Sequence, residues 1–307
     1  MRAEMGIGPG QRESITSGTQ LRRTVSRRDF IAGGTAAGYA LACQPISAAA
    51  IHTGVQDLAA GEIHIPVGDE SIPAYYARPA GPRPAPVVLV VHEIFALHEY
   101  IRDVCRRLAH AGYLAIAPNL YQRHGDVSRL RKITEIVDEV VVHVPDAEVL
   151  ADLDAAVAWA AASGHGDTQR LAVTGFCWGG RFVWVYAAHN PRVRTGAAWY
   201  GRLAATGPGV LSEIGAGRTY PLDIAAQLDA PILGLYAGRD GSISGESIEQ
   251  MRAALAAAGN SSEIIVYPDA LHGFHGDYRP MYDEAAAVDG WDRMLAWFAA
   301  QGVAPAL

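Results

Sequence analysis

The chain has 307 residues, of which 50% are hydrophobic and 19% are charged, and its formal net charge is −7. The hydrophobic content excludes a wholly disordered chain, and only three cysteines exclude a disulfide scaffold. An acidic chain with scattered Lys and Arg is a poor nucleic-acid binder, because phosphate contacts need clustered cations.

An export signal is predicted over residues 1–50. Arg27 and Arg28 precede a weakly apolar stretch at 32–42 and then a run of small residues that suits cleavage. This layout is typical of a twin-arginine (Tat) signal, so we expect the Tat export machinery as a partner and a periplasmic or secreted mature protein. The alternative is a disordered basic tail, with translation starting at Met5.

Residues 51–307 are predicted to form a single domain. Removal of the signal takes away six arginines and three acidic residues, which leaves a net charge of −10. No run of about 18 apolar residues follows position 50, so no stable membrane span is expected. Lipidation at Cys43 is not expected either, because the residues before it match a lipoprotein signal poorly. Cys105 lies in an amphipathic pattern and is predicted to be a buried apolar residue.

Apolar segments of two kinds alternate along this domain. Strands are predicted at 63–67, 73–77, 86–91, 113–117, 171–176, 195–200, 231–237 and 264–267. Helices are predicted at 100–111, 127–142, 147–163, 179–189, 247–258 and 282–301. The alternation predicts an α/β fold, with a mostly parallel sheet and helices on both faces. In such folds functional residues collect at the carboxyl ends of the strands, here after Val91, Phe176, Ala237 and Tyr267.

The segment 175–179, Gly-Phe-Cys-Trp-Gly, follows one of these strands and opens a helix. This is the nucleophile-elbow pattern with cysteine in the nucleophile position, and its glycines allow a strained strand-to-helix turn. The backbone N–H of Trp178 would begin the helix and could stabilise an oxyanion. The alternative is a tight turn that buries an inert Cys177 thiol.

Two further residues at strand ends complete a triad. Asp240 follows the strand that ends at Ala237, and His272 follows the strand that ends at Tyr267. The chain order of nucleophile, acid and histidine is the order of α/β-hydrolases. We therefore predict that Cys177, Asp240 and His272 form one catalytic site.

Other residues compete for these roles. His275 could act as the base, and Asp269 or Asp229 as the acid, although Asp229 precedes its strand and so lies at the wrong end. A metal site could use histidines and a glutamate that lie near the strand ends: His92, Glu93, His98, His272 and His275. Their spacing matches no H-x-x-x-H or H-E-x-x-H pattern, so no metal is predicted.

The loop after Val91 is expected to supply a second oxyanion N–H, that of Ile94. Glu93 precedes it, and a carboxylate in a buried pocket needs a proton or a partner. Two interpretations stay open: Glu93 pairs with an arginine for structure, or it handles the proton of the Cys177 thiol.

Five segments together resemble the dienelactone hydrolase (carboxymethylenebutenolidase) family: 91–95, 175–180, 200–201, 238–240 and 272–274. The resemblance spans about residues 60–300. It implies the α/β-hydrolase fold, hydrolysis of a small-molecule ester or lactone such as dienelactone, and no metal or cofactor. It implies a catalytic set of Cys177, Asp240, His272 and Glu93, with the Ile94 and Trp178 amides as the oxyanion hole. Tyr200 and Phe95 fall in matching segments and are predicted to contact substrate.

Two departures limit what the resemblance implies about substrate. The family members that define the activity are cytoplasmic, and they bind the substrate carboxylate with arginines, one of which lies a few residues after the triad histidine. Here the position four after His272 is Gly276, and Arg279 is the nearest arginine. We expect Arg279 to take that role, ahead of three other candidates: Arg181, Arg202 and Arg239.

Alternative functions also remain. The protein could be an exported carboxylesterase whose substrate is not a lactone. It could also be a non-catalytic binding or redox-sensing protein on a hydrolase scaffold, because a fold does not by itself fix a function.

Overall fold

The computed structural model describes residues 50–205 and 217–305. The predicted export signal, with Arg27, Arg28 and Cys43, lies outside the described residues except for its last position. Among the described helices, none is both long and apolar enough to cross a bilayer.

A single eight-stranded sheet organises the described residues. Its strands are β1 (Leu58–Val67), β2 (Glu70–Pro79), β3 (Ala85–Val91), β4 (Leu114–Pro118), β5 (Gly166–Phe176), β6 (Val193–Trp199), β7 (Ile232–Ala237) and β8 (Glu263–Tyr267). The spatial order is β1-β2-β4-β3-β5-β6-β7-β8. The pairs β1–β2 and β2–β4 are antiparallel, and the remaining five pairs are parallel.

Helices follow most of the parallel strands. They are α1 (Glu99–His110), α2 (Ile133–Glu139), α3 (Asp146–Ala162), α4 (Trp178–His189), α5 (Pro221–Ile224), α6 (Gly245–Ala257) and α7 (Glu284–Ala300). All seven residues of β3 are buried, as expected for a central strand covered on both faces. These features confirm the predicted α/β class and the mostly parallel sheet.

The predicted helix at 127–142 is the largest departure from the expected elements. The structure divides it into a 3₁₀ turn at Val127–Arg129, the helix α2 and a 3₁₀ turn at Val141–His143. Leu130 has extended backbone (ψ 139°), which ends the first turn. The carboxylate of Glu135 accepts hydrogen bonds from the N–H groups of Arg131 and Lys132 (3.1 and 3.2 Å) and so begins a new helix there.

Two predicted strand starts were also wrong. β1 begins at Leu58 and not at 63, and β5 begins at Gly166 and not at 171. The first residues of β5 are polar and partly exposed, and Arg170 pairs with Asp167 at 2.7 Å. An apolar run therefore marks the buried part of a strand and misses its solvated end.

The register of the parallel strands places four strand ends side by side. Val91 of β3 is opposite Gly175 of β5, and Trp199 of β6 is opposite Leu235 of β7. The last residue of β7 is opposite Tyr267, the last residue of β8. The loops that follow β3, β5, β7 and β8 therefore meet at one edge of the sheet.

Candidate active site

Cys177 occupies a strained turn between β5 and α4. Its backbone lies in the left-handed region (φ 55°), which residues other than glycine rarely adopt. The turn fits only because glycines flank it: a Cβ on Gly179 would lie 2.3 Å from the Val91 carbonyl oxygen, and a Cβ on Gly175 would lie 2.5 Å from the Gly179 oxygen. Local strain held by close packing is common at functional sites, and here it fixes the position of the thiol.

Asp240 is held in place by three donors before it reaches the histidine. Its Oδ1 accepts hydrogen bonds from the Ser242 N–H (2.8 Å), the Ser242 hydroxyl (2.8 Å) and the Ile243 N–H (3.1 Å). Its Oδ2 lies 2.7 Å from Nδ1 of His272. Burial raises the pKa of Asp240, but the His272 charge and these hydrogen bonds outweigh it and lower the pKa overall. The carboxylate is therefore ionised and fixed in orientation.

The imidazole of His272 lies within reach of both Asp240 and Cys177. Burial lowers its pKa, but the Asp240 charge, the neighbouring Cys177 sulfur and hydrogen bonds to both residues raise the pKa well above its usual range. The phenol ring of Tyr200 meets the imidazole edge-on at 5.1 Å between centroids. The structure thus brings together the three residues that the sequence places after different strands.

Two backbone N–H groups near the elbow are available as oxyanion donors. Ile94 follows the end of β3, and Trp178 is the first residue of α4. Within the described parts of the chain, neither N–H donates a hydrogen bond to another residue. The N–H groups of a first helical turn have no partner inside the helix, which leaves that of Trp178 free for a ligand.

Glu93 is buried and paired with groups from the far end of the chain. Its Oε2 accepts hydrogen bonds from the Tyr278 hydroxyl and the Arg279 guanidinium, each at 2.9 Å, and lies 3.5 Å from Nε2 of His98. Burial raises the pKa of Glu93, but the Arg279 charge and the hydrogen bonds lower it to about 2. In the described residues Oε1 has no hydrogen-bond partner. The structure therefore shows Glu93 as an ionised partner of Arg279, and no hydrogen bond joins it to Cys177.

Arg279 is buried beside two aromatic rings. Its guanidinium carbon lies 4.2 Å from the centre of the Phe95 ring and 4.5 Å from that of Tyr278. It also donates to the Tyr278 hydroxyl. A substrate carboxylate would have to compete with Glu93 for this guanidinium. The sequence left open that Glu93 pairs with an arginine, but it did not identify that arginine as Arg279.

Tyr200 contacts the His272 ring and lies within electrostatic range of Glu93. Its backbone has a left-handed φ of 38°, unusual for a bulky residue. Burial raises the pKa of its hydroxyl well above the usual range, as does the charge of Glu93. No other described residue hydrogen-bonds to this hydroxyl. A buried hydroxyl without a partner is suited to contact a ligand.

A cavity lies beside the Cys177 thiol at the elbow, and Glu93, Phe95 and Arg279 are not among the described residues that line it. It is lined by Cys177, Trp178, Arg181, Tyr200, Arg202, Tyr220, Ser242, Ile243 and His272. Trp178, Tyr200 and Tyr220 contribute aromatic rings to this wall. The cavity has a volume of about 20 Å³, far below the roughly 300–1,000 Å³ of most small-molecule pockets.

The competing candidates lie elsewhere or have other partners. His275 is buried against Trp199 and Trp291, and its Nδ1 lies 2.5 Å from the Tyr100 hydroxyl. Burial lowers the pKa of His275 to about 3, so it is neutral. Arg181 binds both carboxylate oxygens of Asp146 at 2.7 and 2.8 Å.

The other candidate cations and acids differ in exposure and in hydrogen-bond partners. Arg239 is exposed, whereas Arg202 is buried in the cavity wall and donates from Nε to the Ala204 carbonyl (3.0 Å). Asp229 and Asp269 are exposed and make no hydrogen bond to His272. In the described residues no three His, Cys, Asp or Glu side chains are grouped as metal ligands would be.

Sequence reasoning missed several residues of the site. Ser242 braces Asp240 and lies 3.4 Å from Nδ1 of His272, and Tyr278 and His98 contact Glu93. Each lies in a loop that follows one of the four strand ends, and this position is the only signal that could have indicated them. Tyr220, by contrast, reaches the cavity from α5's start and carries no such signal.

Comparison with known proteins agrees with this arrangement. The sequence profile of the Dienelactone hydrolase family matches residues 72–302. A candidate carboxymethylenebutenolidase from Methylorubrum extorquens is 53% identical over 282 residues, which cover 92% of this chain and 95% of that protein. One from Escherichia coli is 52% identical over 266 residues, covering 86% and 96%.

A solved structure is similar over the same region. The crystal structure of a candidate dienelactone hydrolase from Klebsiella pneumoniae has a TM-score of 0.74 and 53% sequence identity, covering 79% of this chain and 98% of that chain. This likeness confirms the predicted α/β-hydrolase fold. Because the family profile spans most of the chain and relatives of nearly full length are more than half identical, the chain belongs to the dienelactone hydrolase family.

Proposed function

We propose that this hydrolase cleaves carboxylic ester or lactone bonds through a thioester on Cys177, with His272 as the base and Asp240 as the acid that orients it. The single observation that carries the proposal is the position of the His272 imidazole, which is bonded to Asp240 at 2.7 Å and faces Cys177 on the strained elbow. Membership of a family of lactone and ester hydrolases supports the reaction class.

Acylation begins when the Cys177 sulfur attacks the carbonyl carbon of the substrate. The thiol proton moves to His272, and the carbonyl oxygen becomes an oxyanion that the N–H groups of Ile94 and Trp178 stabilise. Collapse of this intermediate breaks the carbon–oxygen bond, and the leaving alkoxide takes the proton from His272. Each oxyanion donor contributes about 3–4 kcal/mol in comparable sites.

Deacylation uses the same base. A water molecule gives a proton to His272 and attacks the thioester carbon, and the carbon–sulfur bond then breaks. The carboxylic acid leaves, and the sulfur regains its proton from His272. For a lactone the two products are one molecule, a hydroxy acid, because the leaving oxygen stays attached to the acyl part.

Glu93 is proposed to act when the substrate carries a carboxylate. Such a substrate would compete for Arg279, which the structure pairs with Glu93 at 2.9 Å. Loss of that cation would raise the pKa of Glu93, because burial alone disfavours its charge. Glu93 would then accept the Cys177 proton in place of His272 and give it to the leaving alkoxide. This step follows from the family resemblance together with the Glu93–Arg279 pair.

Mass spectrometry tests the covalent step. Incubation with p-nitrophenyl acetate and rapid acid quench should show an acetyl adduct on the peptide that contains Cys177. Cys105→Ala is the matched control, because Cys105 is fully buried in α1 and burial raises its pKa. Turnover without any adduct on Cys177, or an adduct on another residue, would refute the proposal. A screen of lactones against linear esters would then define the substrate.

The role of Arg279 in substrate binding is tested by the ratio of kcat/KM for a carboxylate-bearing lactone to kcat/KM for a neutral ester. In Arg279→Lys the charge remains but the planar fork that suits a carboxylate is lost. We expect kcat/KM for a carboxylate-bearing lactone to fall about tenfold relative to that for a neutral ester of similar size. The ratio is independent of the fraction of folded enzyme. An unchanged ratio would exclude Arg279 from substrate recognition.

Export by the Tat pathway is also proposed, on the basis of Arg27 and Arg28 and the apolar stretch that follows them. Replacement of both by lysine should retain the full-length precursor in the cytoplasm. Replacement of Arg22 and Arg23, a second arginine pair outside the motif, is the matched control and should leave export unchanged. Equal export of both variants would refute the proposal.

A further inference from the structure

His92 is a buried histidine whose two ring nitrogens have different partners. The Leu120 N–H donates to Nε2 at 3.1 Å, and Nδ1 lies 2.6 Å from the carbonyl oxygen of Glu93. Because Nε2 accepts from an N–H, its lone pair is used there, and the proton of the neutral ring lies on Nδ1. The hydrogen-bond network therefore assigns the tautomer: Nδ1–H donates to the Glu93 carbonyl.

That carbonyl belongs to the same peptide unit as the N–H of Ile94. In a planar trans peptide the C=O and N–H point in opposite directions, so fixing the oxygen fixes the direction of the N–H. The Ala96 N–H donates to the same oxygen at 3.3 Å. Hydrogen bonds at the oxygen also polarise the peptide, which makes its N–H a stronger donor.

The His92 ring also contacts the segment that carries the second oxyanion donor. It stacks on the Trp178 ring, with centroids 5.5 Å apart and an angle of 16° between the planes. The Tyr121 ring meets it edge-on at 4.8 Å. Burial lowers the pKa of His92 to about 4, so near neutral pH it keeps one donor and one acceptor.

We propose that His92 is a positioning residue of the oxyanion hole: its Nδ1–H holds the Glu93 carbonyl so that the N–H on the other side of the peptide, that of Ile94, is aimed at the reacting carbonyl oxygen. The inference rests on the proposed function, because it assumes that Ile94 stabilises an oxyanion. It assigns to a buried histidine outside the triad an effect on the chemical step that acts through the Ile94 N–H.

Two substitutions separate the two hydrogen bonds of His92. In His92→Gln the side-chain oxygen can still accept from the Leu120 N–H, but the donor at the Nδ1 position is lost. In His92→Asn the amide nitrogen lies near the Nδ1 position and can still donate to the Glu93 carbonyl. We expect kcat on a neutral ester to fall on the order of 10- to 100-fold in His92→Gln, with KM unchanged, and to recover most of that loss in His92→Asn.

A direct readout of the oxyanion completes the experiment. A trifluoromethyl ketone should add to Cys177, and ¹⁹F NMR of the adduct gives the pKa of its new hydroxyl group. A weaker oxyanion hole should raise that pKa by about one unit in His92→Gln, and little in His92→Asn. A merely structural role for His92 would not move it.

The possible outcomes are distinct. An adduct with the same hydroxyl pKa in all three proteins, or equal losses of kcat in both variants, would refute the role of His92 and leave the proposed function intact. Absence of a Cys177 adduct in the wild-type protein would refute the proposed function, and the inference with it.

Discussion

Two buried carboxylates flank the candidate site, and they are held very differently. Both oxygens of Asp240 are engaged: three donors reach Oδ1, and His272 reaches Oδ2. Glu93 uses one oxygen for Tyr278 and Arg279, and its other oxygen has no partner among the described residues.

The difference separates a fixed group from one that can change partners. A carboxylate with every acceptor satisfied is pre-organised and gains nothing by moving. A buried oxygen without a partner is energetically costly. Among the described residues the Tyr200 hydroxyl also has no hydrogen-bond partner, and ligand atoms could satisfy both groups. The Asp240 half of the site is therefore suited to orient a base, and the Glu93 half to respond to substrate.

The largest effect is expected from removing Cys177, the proposed nucleophile beside the Asp240 half and the Glu93 half of the site. Cys177→Ala should lower kcat by about 10⁵- to 10⁶-fold, and His272→Ala by a similar factor, measured with p-nitrophenyl acetate. The double variant should be barely slower than either, because the residues act as one unit. Additive losses would mean that they do not share a site, and Cys105→Ala should retain full activity.

The next largest effect is expected from Asp240→Asn, which disrupts the Asp240 half of the site. An amide can present its N–H₂ to Nδ1 of His272 and so stabilise the wrong tautomer, and we expect kcat to fall about 10⁴-fold, less than in Cys177→Ala. Ser242→Ala is the matched control, since it removes only one of three donors to Oδ1 and should have a much smaller effect. Similar losses in both would contradict the role assigned to Asp240.

In the Glu93 half of the site, the coupling between Glu93 and Arg279 should be measurable as a change in the free energy of unfolding. Arg279→Met leaves the Glu93 carboxylate buried without its cation and should lower the free energy of unfolding by about 3–5 kcal/mol. Glu93→Gln combined with Arg279→Met should recover part of that loss, which urea unfolding of the single and double variants would measure. Strictly additive changes would show that the ion pair is not coupled.

The free energy of unfolding should depend on pH with opposite signs for His272, in the Asp240 half, and for Glu93. The pKa of His272 is raised, so its contribution is full below about 6.5 and is lost as pH rises through the higher folded-state value. The pKa of Glu93 is lowered to about 2, so its contribution is present above about 4.5 and is lost as pH falls toward 2.

Single substitutions should show how much Glu93 and His272 each contribute to the pH dependence of the unfolding free energy. Asp240 also has a lowered pKa and adds to the loss in acid, so Glu93→Gln should remove only part of that loss, up to about 2–3 kcal/mol. His272→Gln should flatten the loss in alkali. Unfolding free energies measured from pH 3 to 10 give both effects, and a Glu93→Gln profile that equals the wild type in acid would contradict the assignment.

The sequence was sufficient to predict the sheet and to propose three residues for one site. Strand ends follow from apolar runs, and parallel strands bring their carboxyl ends to one edge, so Cys177, Asp240 and His272 could be grouped without knowing any distance. The chain order of the three residues then gave the fold family. The described geometry agrees with this grouping because those rules depend on local pattern and handedness.

The partners of Glu93 could not be predicted in the same way. Its contact with Tyr278 joins residues 185 positions apart, and it depends on how a loop after β8 folds over the loop after β3. No periodicity encodes the path of such loops. Arg279 was accordingly expected to face the substrate, and its pairing with Glu93 emerged only from the packing of side chains.

The strand order also determines when the site is completed during synthesis. Cys177 follows β5 in the middle of the sheet, whereas Asp240 and His272 follow β7 and β8, the last two strands at one edge. His272 is made 95 positions after Cys177, which is roughly 5–20 s later at about 5–20 residues per second. Throughout that interval the nascent chain carries Cys177 without the histidine that would act as its base, and an unactivated thiol is mostly protonated near neutral pH. Reactivity would therefore arise only when the edge of the sheet is closed.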